Sequence, residues 1–70
     1  MLKEKLVLNV EGMSCNHCVN SIKKAVEDID GVISVDVNLD KKTVTVEYNQ
    51  DKAKADYIKE AIEDEGYIVK

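Results

Sequence analysis

Leu6, Leu8 and Val10 alternate with Lys5, Val7 and Asn9, the period-two signature of a half-buried strand, and Gly12 ends the pattern. From Val19 the period lengthens. Val19, Ile22, Val26 and Ile29 recur at spacings of three and four, which predicts a helix with one stripe against a core, stopped by Gly31. Alternation returns in Val35, Val37 and Leu39 against Ser34, Asp36 and Asn38. It breaks at the polar turn Asp40-Lys41-Lys42 and resumes in Val44, Val46 and Tyr48, predicting a hairpin. Ala55, Ile58, Ala61 and Ile62 restore helical spacing; Asp56 suits a first turn, and Gly66 stands where a left-handed cap would close the helix. Tyr67 and Val69 remain for a short final strand.

The predicted order is βαββαβ. Two amphipathic helices on one face of a four-stranded antiparallel sheet is the simplest way to bury all six apolar faces, so the expected fold is an α+β, ferredoxin-like sandwich. No repeat, proline-rich linker or low-complexity stretch interrupts it, and residues 1–70 read as a single domain. A chain of this length buries only about 60% of the surface its unfolded form exposes, leaving room for one thin core. Chemistry is therefore expected at an exposed loop or edge, which favours a carrier over an enzyme. Ten lysines, no arginine and fourteen acids give a net charge of −4. That balance works against capture of phosphate backbones, so nucleic acid is set aside as a partner. The first residues, Met1-Leu2-Lys3-Glu4-Lys5, hold no apolar run long enough for a signal peptide or a membrane span. The expectation is a cytoplasmic protein with no membrane insertion, where thiols stay reduced and paired cysteines point to metal or redox chemistry.

The only two cysteines lie in Gly12-Met13-Ser14-Cys15-Asn16-His17-Cys18, between the first strand and the first helix. At this spacing both sulfurs can turn toward one point off the helix N-terminus. There, unpaired N–H groups and the positive end of the helix dipole favour thiolate, especially at Cys18. Soft sulfur selects soft ions such as Cu(I), whereas a closed zinc site normally takes four ligands and this chain offers two cysteines and one histidine. A lone CxxC also serves thiol oxidoreductases and half-sites of zinc ribbons. A thioredoxin-type motif is expected beside a parallel βαβ unit in a longer chain, and this pattern predicts an antiparallel sheet.

The run at 12–18 resembles the GMxCxxC signature of heavy-metal-associated domains, and most nearly the bacterial copper chaperones of that family. The likeness extends through Asp30-Gly31-Val32, Val37-Asn38-Leu39 and the segment from Ala61 to Tyr67, which reads Ala-Ile-Glu-Asp-Glu-Gly-Tyr. What it implies is the βαββαβ fold, Cu(I) held by Cys15 and Cys18, and delivery to a copper-transporting P-type ATPase bearing similar domains. Ser14 stands where relatives that export zinc or cadmium often carry an acid, and a missing hard carboxylate favours Cu(I).

Met13 carries a soft thioether two residues from Cys15, which admits a third-ligand role, but methionine more often fills gaps in a core. The resemblance implies an inward-pointing side chain that anchors the loop. His17 is the only histidine. It can tune thiolate charge, contact a partner or supply a ligand in a copper-bridged homodimer, or be merely solvated. Tyr67 follows the cap glycine at the end of the sheet where the first strand exits. The resemblance implies a ring packed beside the metal loop that limits solvent access, the plain alternative being a core aromatic. Tyr48 and Tyr57 carry structural readings only. Lys23 and Lys24 fall on the exposed side of the first helix, as a solvated face or as orienting charges for an acidic partner. Glu60, Glu63, Asp64 and Glu65 make the end of the second helix acidic, unlike the basic docking face of some eukaryotic copper chaperones.

Three functions compete on this reading. One is a free-standing copper chaperone, which Met1 just before the first strand and Lys70 just after the last would fit. The second is the N-terminal metal-binding domain of a copper-transporting ATPase, which the same limits would equally fit. The third is a thiol oxidoreductase.

Overall fold

A computed structural model describes residues 3–14 and 16–70. Its elements follow the order β1 (Lys3–Glu11), α1 (Asn16–Glu27), β2 (Val32–Asn38), β3 (Thr43–Asn49), α2 (Ala55–Asp64) and β4 (Ile68–Val69). All strand pairs are antiparallel in one sheet of order β2-β3-β1-β4. The expected βαββαβ sandwich is therefore the fold.

Strand alternation decides which side of the sheet is covered. Leu8 and Val10 of β1, Val35 of β2, and Val44, Val46 and Tyr48 of β3 all point to one face and are buried. Ile22 and Val26 of α1 and Ile58 and Ile62 of α2 meet them there, all four fully inaccessible to solvent. Each such aliphatic side chain contributes about 1.5–3 kcal/mol relative to exposure. The opposite face is open to solvent, with Lys3, Lys5, Val7, Asn9 and Glu11 exposed along β1. On that face Lys3 Nζ lies 3.0 Å from Glu47 Oε2, and the Ser34 hydroxyl donates to Glu47 Oε1 at 3.3 Å. Chiefly through its hydrogen bond and charge interaction with Lys3, the Glu47 carboxyl is held below its ordinary pKa.

Several boundaries differ from the sequence pattern. α1 ends at Glu27, and Ile29 continues the apolar stripe from the turn that follows, its N–H donating to the Val26 carbonyl at 3.1 Å. Leu39 lies past the end of β2 yet still packs on the core. β2 begins earlier than its alternation shows, because a bulge between Val32 and Ser34 inserts the exposed Ile33 and shifts the phase. Tyr67 precedes the last strand instead of joining it. Gly66 takes the expected left-handed cap conformation, with φ +96°.

Candidate metal centre

β1 leads directly into the cysteine loop, and its pairings fix what surrounds that loop. Asn9 faces Thr43, the first residue of β3, so the turn between β2 and β3 lies at the same end of the sheet. The Val10 N–H donates to the Lys42 carbonyl at 2.9 Å, tying that turn to β1 two residues before Gly12. Lys42 has φ +58°, left-handed for a side chain with a Cβ, and the Lys41 N–H donates to Asn38 Oδ1 at 3.0 Å. On the other side of β1, Val10 pairs with Val69 and Glu11 with Ile68, which brings Tyr67 level with Gly12. A Cβ on Gly12 would stand 3.3 Å from Tyr67 Cδ1. The loop thus leaves β1 between the hairpin turn and the connection from α2 to β4.

The first turn of α1 includes His17 and Cys18, which lie just ahead of Val19, where the apolar stripe begins. Cys18 is half-buried and packs against the core, while His17 is exposed. No acidic side chain occupies this turn. The positive end of the helix dipole therefore has no acidic side chain of the turn to neutralise it, and it favours negative charge nearby. Ser14 Oγ lies 3.9 Å from Cys18 Sγ, within hydrogen-bond reach of sulfur, and either group can donate.

Met13 is 8% exposed and belongs to the central core cluster, so its side chain anchors the loop's root. Tyr67 is half-buried, packs against the same core, and has its ring beside Gly12. Cys15 lies outside the described residues. The structure therefore brings Met13, Cys18, His17 and Tyr67 to one end of the sheet around the loop. Sequence reasoning treated Ser14 only as a missing acid. Its spacing of four from Cys18 at a helix start was the available signal that its hydroxyl meets the sulfur. The tie from Lys42 to Val10 had no signal short of the strand register.

Fold and site together define a small ferredoxin-like metal-binding module. The heavy-metal-associated domain model matches residues 7–67. The copper chaperone CopZ of Staphylococcus haemolyticus is 50% identical over 64 residues, covering 91% of this chain and 94% of that protein. Among solved structures, a CopZ metallochaperone superposes with TM-score 0.94 at 48% identity, covering 96% of this chain and all of its own. The N-terminal domain of a potential copper-translocating P-type ATPase from Bacillus subtilis, in the Cu(I)-loaded state, gives TM-score 0.93 at 42% identity, over 99% of this chain and 86% of its own. This chain belongs to the heavy-metal-associated domain family. Among the described residues, no helix is long and apolar enough to cross a membrane.

Proposed function

We propose that this chain is a cytoplasmic copper chaperone. It is a single heavy-metal-associated domain that carries Cu(I) between the thiolates of Cys15 and Cys18 and hands it to the metal-binding domains of a copper-transporting P-type ATPase. The observation that carries this reading is the Gly-Met-Ser-Cys-Asn-His-Cys motif, with Cys18 in an acid-free first helical turn, in a chain half-identical to copper chaperones along nearly its whole length. The domain is a carrier and catalyses no reaction. Two thiolates suit a soft, low-coordinate ion. Met13, buried in the core, supports the loop from below, and Tyr67 covers its root.

Cu(I) leaves by associative exchange. A partner cysteine bonds to the ion before Cys15 or Cys18 departs, so no free ion forms and the copper keeps its oxidation state. His17, exposed beside Cys18, is available to contact the acceptor.

Competitive titration against a Cu(I) chelator under reducing conditions tests the site. One ion per monomer is expected, with affinity falling by orders of magnitude in Cys15→Ser and in Cys18→Ser. Wild-type affinity in both variants removes the site. Stopped-flow transfer to an ATPase metal-binding domain tests the exchange: the rate should rise with acceptor concentration and exceed spontaneous loss. A rate independent of acceptor would make the protein a passive buffer.

The solved ATPase domain of the same fold favours a second reading, in which this chain is itself the N-terminal domain of a transporter. Whether its reading frame continues beyond Lys70 decides between them.

A further inference from the structure

Among the described residues Lys42 is the only one besides glycine with a positive φ, at +58°. The other three left-handed positions, 12, 31 and 66, all carry glycine, which adopts this conformation without a clash at Cβ. The backbone role of Lys42 does not need its side chain. Its carbonyl accepts the Val10 N–H at 2.9 Å, and glycine would supply the same carbonyl. The ammonium does not serve the fold either, since the side chain is exposed and, among the described residues, forms no ion pair. A disfavoured residue kept where neither backbone nor packing calls for it points to a role outside the fold.

Its position indicates that role. The bond from Val10 to Lys42 sets the turn between β2 and β3 against the end of β1, and Gly12, where the cysteine loop starts, is two residues further, at most about 7 Å of chain. From Gly12 to Ile22 the chain has no Asp, Glu or Lys. Glu11 is already engaged by Lys70, whose Nζ lies 3.1 Å from its Oε1. On the β4 side the exposed Glu63, Asp64 and Glu65 present only negative charge, and Lys23 and Lys24 lie more than one helical turn past Cys18. Within the turn Asp40 offsets Lys41, so the surplus positive charge on this flank is that of Lys42.

Two thiolates around one Cu(I) leave a net negative charge on the loop. We infer that the Lys42 ammonium is held beside the cysteine loop to favour that anionic complex, so that Lys42 sets copper affinity through its charge at the expense of its own backbone conformation. The inference rests on the copper-binding reading above.

The test titrates wild type, Lys42→Gly, Lys42→Asn and Lys42→Arg with Cu(I) against a chelator under reducing conditions, at about 0.01 M and about 1 M salt. Over that range the Debye length shrinks from about 30 Å to about 3 Å. A unit charge about 10 Å from an anion changes its binding about two- to tenfold at effective dielectric constants between those of water and a protein surface. Lys42→Gly and Lys42→Asn should therefore bind Cu(I) about two- to tenfold more weakly than wild type at low salt and equally at high salt. Lys42→Arg keeps the charge and should match wild type at both. Metal-free Lys42→Gly should melt no lower than wild type, because glycine removes the clash at Cβ. A structural prop would behave differently, since its loss lowers stability and affinity together. Equal affinity of wild type and Lys42→Gly at low salt, a deficit that persists at high salt, weak binding by Lys42→Arg, or a lower melting temperature for Lys42→Gly would each overturn the inference. Any of these with copper still bound by the wild type leaves the copper-binding reading intact. Unchanged affinity with slowed transfer to an ATPase domain would assign the lysine to that partner and likewise overturn the inference. A wild type that binds no copper would overturn both readings.

Discussion

Replacing Gly31 by alanine should destabilise this domain more than the same change at Gly66, although the two share nearly the same backbone conformation, with φ +99° and +96°. Placing a Cβ in that region costs roughly 1–3 kcal/mol. The loss of unfolded-state entropy that accompanies Gly→Ala returns about 0.4–1 kcal/mol. At Gly66 nothing lies within 4 Å of the new methyl, so the net cost should be about 1–2 kcal/mol. At Gly31 the methyl would stand 2.6 Å from Lys52 Cβ, 3.0 Å from the Ala53 nitrogen and 3.2 Å from Ala53 Cβ. Those atoms cannot easily retreat. Ala53 is fully buried, its N–H and that of Lys52 both donate to the Asn49 carbonyl, and the Asn49 N–H donates to the Gly31 carbonyl at 2.7 Å. Overpacking of this kind adds about 1–3 kcal/mol, for a total near 2–5 kcal/mol. A chain of 70 residues is stable by only about 4–10 kcal/mol. The melting temperature should therefore fall by roughly 8–40 °C for Gly31→Ala and roughly 4–16 °C for Gly66→Ala, at about 4–8 °C per kcal/mol. Thermal unfolding followed by circular dichroism measures both. Equal losses in the two variants would show that the segment at 49–53 yields to the methyl, and the steric reasoning would be wrong.

Three further outcomes follow from the same structure. Met13→Leu keeps the buried volume and should cost less than about 1.5 kcal/mol, while Met13→Ala should cost about 2–5 kcal/mol in denaturant melts; a Met13→Leu variant with unchanged stability but much weaker Cu(I) binding would make the thioether a ligand. The Glu47 pKa is lowered by Lys3, so the pair's contribution is full above the ordinary glutamate range and is lost as pH falls through the depressed folded value. Titration of the Glu47 carboxyl by NMR should show its pKa rising in Lys3→Ala, and an unchanged value would refute the pairing. Ile62→Ala, at a fully buried position of α2, should lose about 2–5 kcal/mol, and a smaller loss in urea unfolding would mean that the core collapses around the gap.

Most of the architecture is a local property of this sequence. Period-two runs in β1 and β3, the spacing of four from Ile22 to Val26 and from Ile58 to Ile62, and the cap glycine at 66 each act through near neighbours in the chain, so pattern alone orders the six elements. The cysteine motif is local as well, since its chemistry depends on two sulfurs three residues apart. What the chain could not declare is set by pairing between distant segments. The bulge at Ile33 shifts the phase of β2 because β3 dictates its register. The contact of Tyr67 with Gly12, the tie from Lys42 to Val10, and the placing of Lys41, Lys42 and the α2 acids on either side of the loop after β1 all arise because β3 and β4 flank β1. Charge sorting of that kind has no period to read. It exists only once strand order has put residues from 41 and 65 on either side of residue 12, and that order is decided by which apolar faces can be buried together.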